Sequence, residues 1–299
     1  MGQRGNVALS NSAVKYGACD RWGMYPNVSN THSATSSQAT VTWSESGNAI
    51  GWTAVTTVQA GQMLTRQFIE SSNVRHLTGK KLTCSFKVFH DVGADVSVNI
   101  LTLKPNSKDN FASTTDLTSN TMITTAASGV VTEVSYTWPN ALTAADCVNG
   151  FCVTIQLGTS TSVTNKNFYV ADLQLEEGSV ATDFEHRSYG EILADCQRYY
   201  QKTATASGVV STSSIVYLAV QLVTEMRAVP TWSLSHPMQI NDVGVNATQS
   251  SADFTAYNST TNGTFANLGN FSGLTAYRGC LCRQHGGGNT PYMIADAEL

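Results

Sequence analysis

The chain has 299 residues, of which only 13% are charged, and its formal net charge at pH 7 is -4. Binding to nucleic-acid phosphates requires a clustered basic surface, and this mildly acidic composition argues against it. The sequence contains no stretch of about 18 apolar residues, so it also predicts no membrane-spanning helix.

The composition favours β-structure. Charged residues that favour helices are scarce and β-branched residues are common, which is typical of short strands joined by polar turns. The length is sufficient for two domains, each of which buries its own core. We therefore expect an all-β protein with two domains.

Alternating apolar and polar residues predict several strands in the first part of the chain. Residues 82–88 and 96–100 alternate clearly, and we predict that they are neighbours across the turn at 90–94. Later alternating runs are 134–138, 151–157 (with Thr154 and Gln156 on the outer face) and 169–175. Each run has one apolar face that must be covered, so residues 1–187 are predicted to form a β-sandwich.

The chain has seven cysteines, an odd number whose spacing matches neither a metal site nor a disulfide framework. Residues 1–6 lack the apolar run of a signal peptide, so we expect synthesis in a reducing cytosol. Cys147 and Cys152 flank Asn149-Gly150, a dipeptide that predicts a type I′ hairpin and would bring the two thiols close together. A disulfide and a pair of reduced thiols both remain open.

One helix is predicted, over residues 189–201. Ser188 and Glu191 form the pattern of a capping box. Apolar residues then follow at helical spacing; they are Ile192, Leu193, Cys196, Tyr199 and Tyr200. A short helix must dock on another surface, either of its own chain or of a symmetry mate, and these residues are our candidates for an oligomer interface.

After this helix the β-pattern resumes, and residues 188–299 are predicted to form a second, smaller β-sandwich module. Residues 215–222 are apolar at almost every position, which predicts a strand buried on both faces. Pro230 marks the end of this segment or an edge position before the next strand.

Four sequence blocks resemble those of bacteriophage tail or fiber proteins with a carbohydrate-binding-module-like jelly roll and a compact C-terminal module. The blocks are residues 18–22, 171–178 with 181–185, 193–200, and 225–231 with 295–299. They occur in the order found in that family and extend over nearly the whole chain. Whole tail fibers usually have a long N-terminal attachment region, which leaves a tail fiber, a tip module and a decoration protein open.

The resemblance implies a virion protein that is made in the cytoplasm of the host bacterium. It implies a homotrimer that contacts other virion proteins and attaches to glycans of the host surface. It implies no cofactor, although jelly-roll carbohydrate modules often hold a structural calcium; no metal ligands can be assigned here. The alternatives are a decoration protein that stabilises the particle and, less favoured, a polysaccharide depolymerase.

No local motif of an enzyme is present: the G-x-S-x-G, H-E-x-x-H, P-loop and C-x-x-C patterns are all missing from the sequence. The adjacent carboxylates Glu176 and Glu177 point to opposite faces of a strand, which makes them poor partners for glycan cleavage. We therefore predict a protein without catalytic residues.

Sugar recognition uses flat aromatic faces together with side chains that hydrogen-bond hydroxyl groups. Trp43 and Trp52 bracket a polar turn at 44–48, and we predict that both are exposed and bind glycan together with Tyr25. Trp22 and Trp138 are predicted to lie in the core.

Overall fold

The structure is a computed structural model that describes residues 4–9, 14–27, 32–118, 120–204, 206–242, 245–248, 254–283 and 291–299. The chain divides into two compact units, residues 1–187 with Leu299 (unit 1) and residues 188–298 (unit 2). Strands dominate both units, which confirms the predicted all-β fold. None of the helices in the described ranges has the length and apolar character needed to cross a membrane.

Unit 1 consists of antiparallel strands and one short helix, α1 (Ala144–Cys147). Its strands are β1 (Val7–Leu9), β2 (Lys15–Tyr16), β3 (Trp22–Asn27), β4 (His32–Thr40), β5 (Asn48–Thr57), β6 (Gln62–Ile69), β7 (Leu82–His90), β8 (Val96–Ser107), β9 (Asn110–Asp116), β10 (Thr121–Ala126), β11 (Thr132–Thr137), β12 (Phe151–Gly158) and β13 (Val163–Glu177). Two short 3₁₀ turns, at 71–73 and 75–77, follow β6.

These strands form two sheets. Sheet A has the order β1-β4-β5-β13-β7-β11, and sheet B has the order β10-β8-β12-β6-β3-β2, with β9 paired to β8. The inward side chains of both sheets share one core, in which Trp52 and Phe168 of sheet A and Ile100 and Ile155 of sheet B are fully buried. Unit 1 is thus the two-sheet sandwich that its alternating pattern predicts.

The predicted pairing of β7 with β8 is wrong. Strand β7 pairs with β13 and β11 in sheet A, whereas β8 pairs with β12 and β10 in sheet B. The connection between them therefore crosses the core from one sheet to the other. Buried His90 lies at its start, and its Nε2 is 2.9 Å from the carbonyl oxygen of Ala126.

The predicted hairpin between Cys147 and Cys152 is also wrong. Cys147 ends α1, whose first turn is closed by a capping box between Thr143 and Asp146. Cys147 packs in the main core, whereas Cys152 faces the opposite side of sheet B. Of the two alternatives that the sequence leaves open, the structure has the pair of reduced thiols, since both are free and buried.

Unit 2 begins with α2 (Tyr189–Gln197), and its capping box between Ser188 and Glu191 confirms the predicted helix start. Its strands are β14 (Tyr200–Thr203), β15 (Ala206–Thr212), β16 (Ile215–Gln221), β17 (Thr231–Leu234), β18 (Gln239–Asp242), β19 (Val245–Thr248), β20 (Phe254–Thr260), β21 (Gly263–Leu268), β22 (Gly279–Arg283) and β23 (Met293–Asp296). Sheet C has the order β14-β23-β17 and sheet D the order β19-β18-β22-β15-β16-β21-β20. Met293 of sheet C packs in one core with apolar side chains of sheet D.

The predicted interface on the helix is largely wrong. The helix ends at Gln197, and Tyr200 already belongs to β14, where it pairs with Asp296. Cys196, Tyr199 and Tyr200 are buried within the chain itself, so they cannot offer a surface to another copy. Ile192 and Leu193 are half-buried.

Strand β16 is buried on one face, not on both as predicted. Val216, Leu218 and Val220 point into the core of unit 2, whereas Tyr217 and Ala219 are exposed. Tyr217 therefore presents an aromatic ring on the outer face of sheet D, where only a contiguous apolar patch would mark an interaction site.

Candidate functional site

Trp52 is not a surface residue, so the prediction that it is exposed and binds glycan is wrong. Its side chain has no exposed surface, and its indole Nε1 donates a hydrogen bond to Oγ1 of Thr65 at 3.0 Å. Trp138 is buried as predicted, and Trp22 is partly buried against the same core.

Trp43 belongs to a line of three aromatic rings on the outer face of sheet A, here called the aromatic row: Trp43, Phe89 and Tyr169. The ring centroids of Trp43 and Phe89 are 6.1 Å apart, and those of Phe89 and Tyr169 are 6.2 Å apart. All three rings are half-buried. Gly51 lies under Tyr169, where an added Cβ would approach the ring to 3.1 Å.

The loop that carries Trp43 is held down by Asp172 of β13. Its carboxylate accepts hydrogen bonds from the backbone N–H groups of Glu45 (2.7 Å) and Ser46 (3.1 Å) and lies 3.3 Å from Nζ of Lys87. Burial alone would raise the pKa of Asp172, but these hydrogen bonds outweigh it and hold the pKa below its usual value. The charged groups beside the aromatic row thus neutralise one another, which leaves few of them for a ligand.

Tyr25 lies on the other sheet, in a cross-strand line that we call the site row: Asn99, Gln156, Leu64 and Tyr25. The line crosses β8, β12, β6 and β3, in which Asn99 pairs with Gln156, Gln156 with Leu64, and Leu64 with Tyr25. Inward neighbours such as Ile155 fill the core, so the site row points away from it. These four strands are neighbours in sheet B although most of them are distant in sequence, and their register places two amides and one phenol in the same line.

The centre of this outer face is unusually buried. Cys152 and Thr154 have no exposed surface, and Gln156 is only 4% exposed, although all three point away from the main core. Outer side chains of a sheet are ordinarily solvated. The centre of this face at β12 is therefore covered by surrounding side chains, and we call this part of the face, around Gln156, the recess.

Three buried polar atoms at this recess lack a hydrogen-bond partner within the described part of the chain: Oε1 of Gln156, Oδ1 of Asn99 and Nε of Arg66. Asn99 uses its amide nitrogen to donate to Oδ1 of Asn120 at 3.2 Å. A buried polar atom without a partner costs about 1–3 kcal/mol, so native proteins rarely keep several together. Donors and acceptors thus converge where a polar ligand would satisfy them.

Arg66 and Tyr25 form the wall of the recess. Arg66 pairs with Thr154 on one side and Gly23 on the other, and its guanidinium carbon lies 5.5 Å from the centre of the Tyr25 ring. A guanidinium above an aromatic ring is a favourable cation–π contact. Each side chain therefore fixes the orientation of the other.

The polar recess has defined ends. On one side an apolar cluster covers the face, formed by Phe68, Leu101, Leu103 and Cys152 with Phe111 packed against it. On the other side Asn27 donates a hydrogen bond to Gln62 at 3.0 Å. Gly158 of β12 lies at this same end, paired with Gln62 on one side and Ser97 on the other, and an added Cβ there would meet Oγ of Ser97 at 2.4 Å.

Of the predicted glycan-binding residues, only Tyr25 lies at this recess, and sequence reasoning missed Asn99, Gln156 and Arg66. The available signal was the alternation of 151–157, which correctly places Thr154 and Gln156 on the outer face. Within the described ranges, no three His, Cys, Asp or Glu side chains come together as a metal site.

Glu176 and Glu177 have structural contacts. Glu176 accepts hydrogen bonds from the backbone N–H and the hydroxyl group of Thr182, at 2.9 and 2.7 Å. Burial opposes ionisation, yet these bonds hold the pKa of Glu176 below its usual value. Glu177 forms an ion pair with Lys80. An acid catalyst needs a raised pKa, and Glu176 has the opposite.

No known protein family and no curated protein matches the sequence. Solved structures with similar folds include a carbohydrate-binding module from the β-sandwich superfamily (12% identity, 56% of this chain, 63% of that chain, TM-score 0.39). Also similar is a xylan-binding domain from Paenibacillus barcinonensis (14% identity, 53% of this chain, 92% of that chain, TM-score 0.33). A third is the enzymatically active domain of tailspike protein 4 of bacteriophage CBA120 (8% identity, 53% of this chain, 19% of that chain, TM-score 0.34). This chain thus spans less than two thirds of the first of these chains, and at such identities and TM-scores the likenesses carry no argument about function.

Proposed function

We propose that the protein is a non-enzymatic glycan-binding module whose site is the recess around Gln156 on sheet B. The observation that carries this proposal is the Gln156 amide, which is almost fully buried while its Oε1 has no partner in the described ranges. A saccharide presents many hydroxyl groups, each of which donates and accepts hydrogen bonds. It would satisfy the amides of Gln156 and Asn99 together.

Tyr25 and Leu64 provide the apolar part of the same site. Pyranose rings have C–H faces that pack against aromatic and aliphatic side chains, and sugar sites combine such surfaces with a few convergent polar groups. Leu64 is buried between Gln156 and Tyr25, so the apolar half of the site row lies directly beside its polar half, Asn99 and Gln156.

We further propose that this site serves host attachment by a bacteriophage virion. The support is the sequence resemblance of the four blocks, among them residues 171–178 with 181–185, and residues 193–200. A shallow sugar site binds weakly, and linked copies raise the avidity by orders of magnitude without any new contact. A homotrimer would provide such copies.

The outer face of sheet D is the surface that we propose for self-association, in place of the helix. Five apolar side chains make up this open face: Val209, Tyr217, Tyr257, Phe265 and Leu281, each between 46% and 62% exposed. Cross-strand pairing joins Leu281, Ser207, Ala219, Phe265 and Tyr257 into one continuous row.

The chemistry of the open face favours a second copy of the chain as its partner. Its three aromatic rings, about half exposed, leave roughly 300 Å² of side-chain surface, a size that marks interaction sites. The cross-strand row consists of apolar and hydroxyl side chains, so two copies would meet without repulsion between like charges.

The glycan site is tested by titrating saccharides from the host surface into the purified chain and three variants. Gln156→Leu removes the amide, and because this amide has no partner in the described structure, the melting temperature should stay equal or rise. Tyr25→Ala removes the aromatic wall. Trp43→Ala, on the opposite sheet, is the matched control.

We expect Gln156→Leu and Tyr25→Ala to weaken binding at least tenfold while Trp43→Ala leaves it unchanged. Loss of binding in Trp43→Ala alone would move the site to the aromatic row. A protein that releases oligosaccharides, or that binds the virion lattice and no saccharide, would contradict the proposal.

A further inference from the structure

We infer that the ligand of this recess is an acidic saccharide whose carboxylate pairs with Arg66, an inference that rests on the proposed glycan site. Arg66 is partly buried beside the site row, and its Nε has no acceptor among the residues that the structure describes. A guanidinium group stays protonated at all physiological pH values and carries five N–H donors. Such a group needs acceptors where it is withdrawn from water.

Two other partly buried cations of unit 1, Lys87 and Lys104, each have a carboxylate partner. Lys87 lies 3.0 Å from Glu45 and 3.3 Å from Asp172, and Lys104 lies 2.9 Å from Asp146. No ion pair joins Arg66 to an acidic residue in the described ranges; its contact there is with the Tyr25 ring. The fold thus neutralises Lys87 and Lys104 but leaves the charge of Arg66 unpaired.

The position of Arg66 suits an anion carried by a sugar ring. The guanidinium plane can bind both oxygens of one carboxylate through two parallel hydrogen bonds. The ring of the same sugar would then lie over Leu64 and Gln156, which are the neighbours of Arg66 on β6 and β12. Neutral hydroxyl groups would meet the amides, and the acidic group would meet the cation.

The test compares oligogalacturonides with the same oligosaccharides after methyl esterification, which removes the negative charge and keeps the ring. Arg66→Met keeps the aliphatic stem over Tyr25 and removes the charge. Lys87→Met removes a partly buried cation on the opposite sheet and is the matched control. Dextran sulfate and dextran form a second pair, which separates sulfate esters from carboxylates as the source of the anionic oxygens.

We expect esterification and Arg66→Met each to weaken binding at least tenfold, as the loss of an ionic hydrogen bond implies. Arg66→Met should bind acid and ester equally, and the affinity of the unmodified protein should fall with added salt while that of Arg66→Met does not. Lys87→Met should keep the preference for the acid.

Equal binding of acid and ester by the unmodified protein would overturn the inference and leave the glycan site intact. Binding of dextran sulfate but not of oligogalacturonides would overturn the carboxylate assignment. If none of the four saccharides binds and Gln156→Leu behaves as the unmodified protein with host glycans, both the inference and the proposed function fail.

Discussion

Trp52 and Thr65 connect the two sheets of unit 1 inside the core: the indole Nε1 of Trp52 donates to Oγ1 of Thr65 at 3.0 Å. Trp52 belongs to β5 of sheet A and Thr65 to β6 of sheet B. Both side chains are almost completely buried. The N–H group of a buried tryptophan usually has a hydrogen-bond acceptor, and Thr65 is the acceptor for Trp52.

The first prediction concerns this hydrogen bond. Thr65→Val keeps the shape of the side chain but removes the acceptor, so the buried indole N–H is left unsatisfied. We expect the free energy of unfolding to fall by about 1–3 kcal/mol. Urea denaturation followed by tryptophan fluorescence measures it. Thr65→Ser keeps the hydroxyl group and loses one methyl group; equal stabilities of the Val and Ser variants would contradict this account.

The second prediction concerns pH. Burial disfavours the charged form of Asp172, but the N–H groups of Glu45 and Ser46 and the ammonium group of Lys87 lower its pKa below the unfolded value of about 3.9. Ionised Asp172 therefore stabilises the fold above about pH 4, and this contribution is lost as the pH falls through the lower folded pKa.

Asp172→Asn should accordingly lower the melting temperature at pH 7, and the difference from the unmodified protein should shrink below pH 4. Thermal melts from about pH 2.5 to about pH 7 measure this difference. Asp95→Asn, at an exposed position in the turn before β8, is the matched control and should change little. A constant difference at all pH values would assign the effect to shape and not to charge.

Strand β13 shows why the alternating pattern predicts the position of a strand better than it predicts which side chains point to the core. The alternation of 169–175 predicts that Tyr169 and Leu173 share a face. Asp172 has a positive φ of 48°, and the register shifts between Ala171 and Gln174. This bulge adds one residue, so Tyr169 points outward while Leu173 packs against the core. No residue type in the run specifies the bulge, because the bonds that hold it come from the loop at 45–46.

The recess around Gln156 also shows that a local sequence pattern cannot predict which residues from other strands surround a given side chain. Alternation correctly places Gln156 on the outer face of β12. Its burial depends on Asn99, Leu64 and Tyr25, which lie far away in sequence and meet it through the order of the strands in sheet B. The pairing of strands that are distant in sequence cannot be predicted from local patterns. The sequence therefore indicated the aromatic residue Tyr25 but not the polar residues that lie beside it.

The third prediction concerns the cysteines. Burial raises the pKa of Cys152 to about 12, and it also raises that of Cys147. Because the thiolate is the reactive form, both should resist iodoacetamide at pH 8 in the folded protein. Mass spectrometry should find all seven thiols labelled after unfolding in urea, and reductant should leave the melting temperature unchanged. A mass lower by two hydrogens, or a melting temperature that falls with reductant, would instead show that a disulfide is present.

The last prediction concerns the open face of sheet D. Phe265 and Leu281 lie on different strands of one cross-strand row, and they are 62% and 61% exposed. If copies of the chain associate through this face, the double variant Phe265→Ser, Leu281→Ser should turn a trimer into a monomer, because it removes apolar area that only the assembly buries. Light scattering after gel filtration measures the mass.

Val58 and Met122 of unit 1 provide the matched control, since each is 61% exposed and apolar. The double variant Val58→Ser, Met122→Ser removes comparable apolar surface from the other unit, so it should remain a trimer. Dissociation in both variants would indicate a general loss of apolar surface and not a specific interface. A monomeric unmodified protein would remove the open face as a contact between copies, and attachment would then depend on the affinity of the recess around Gln156 alone.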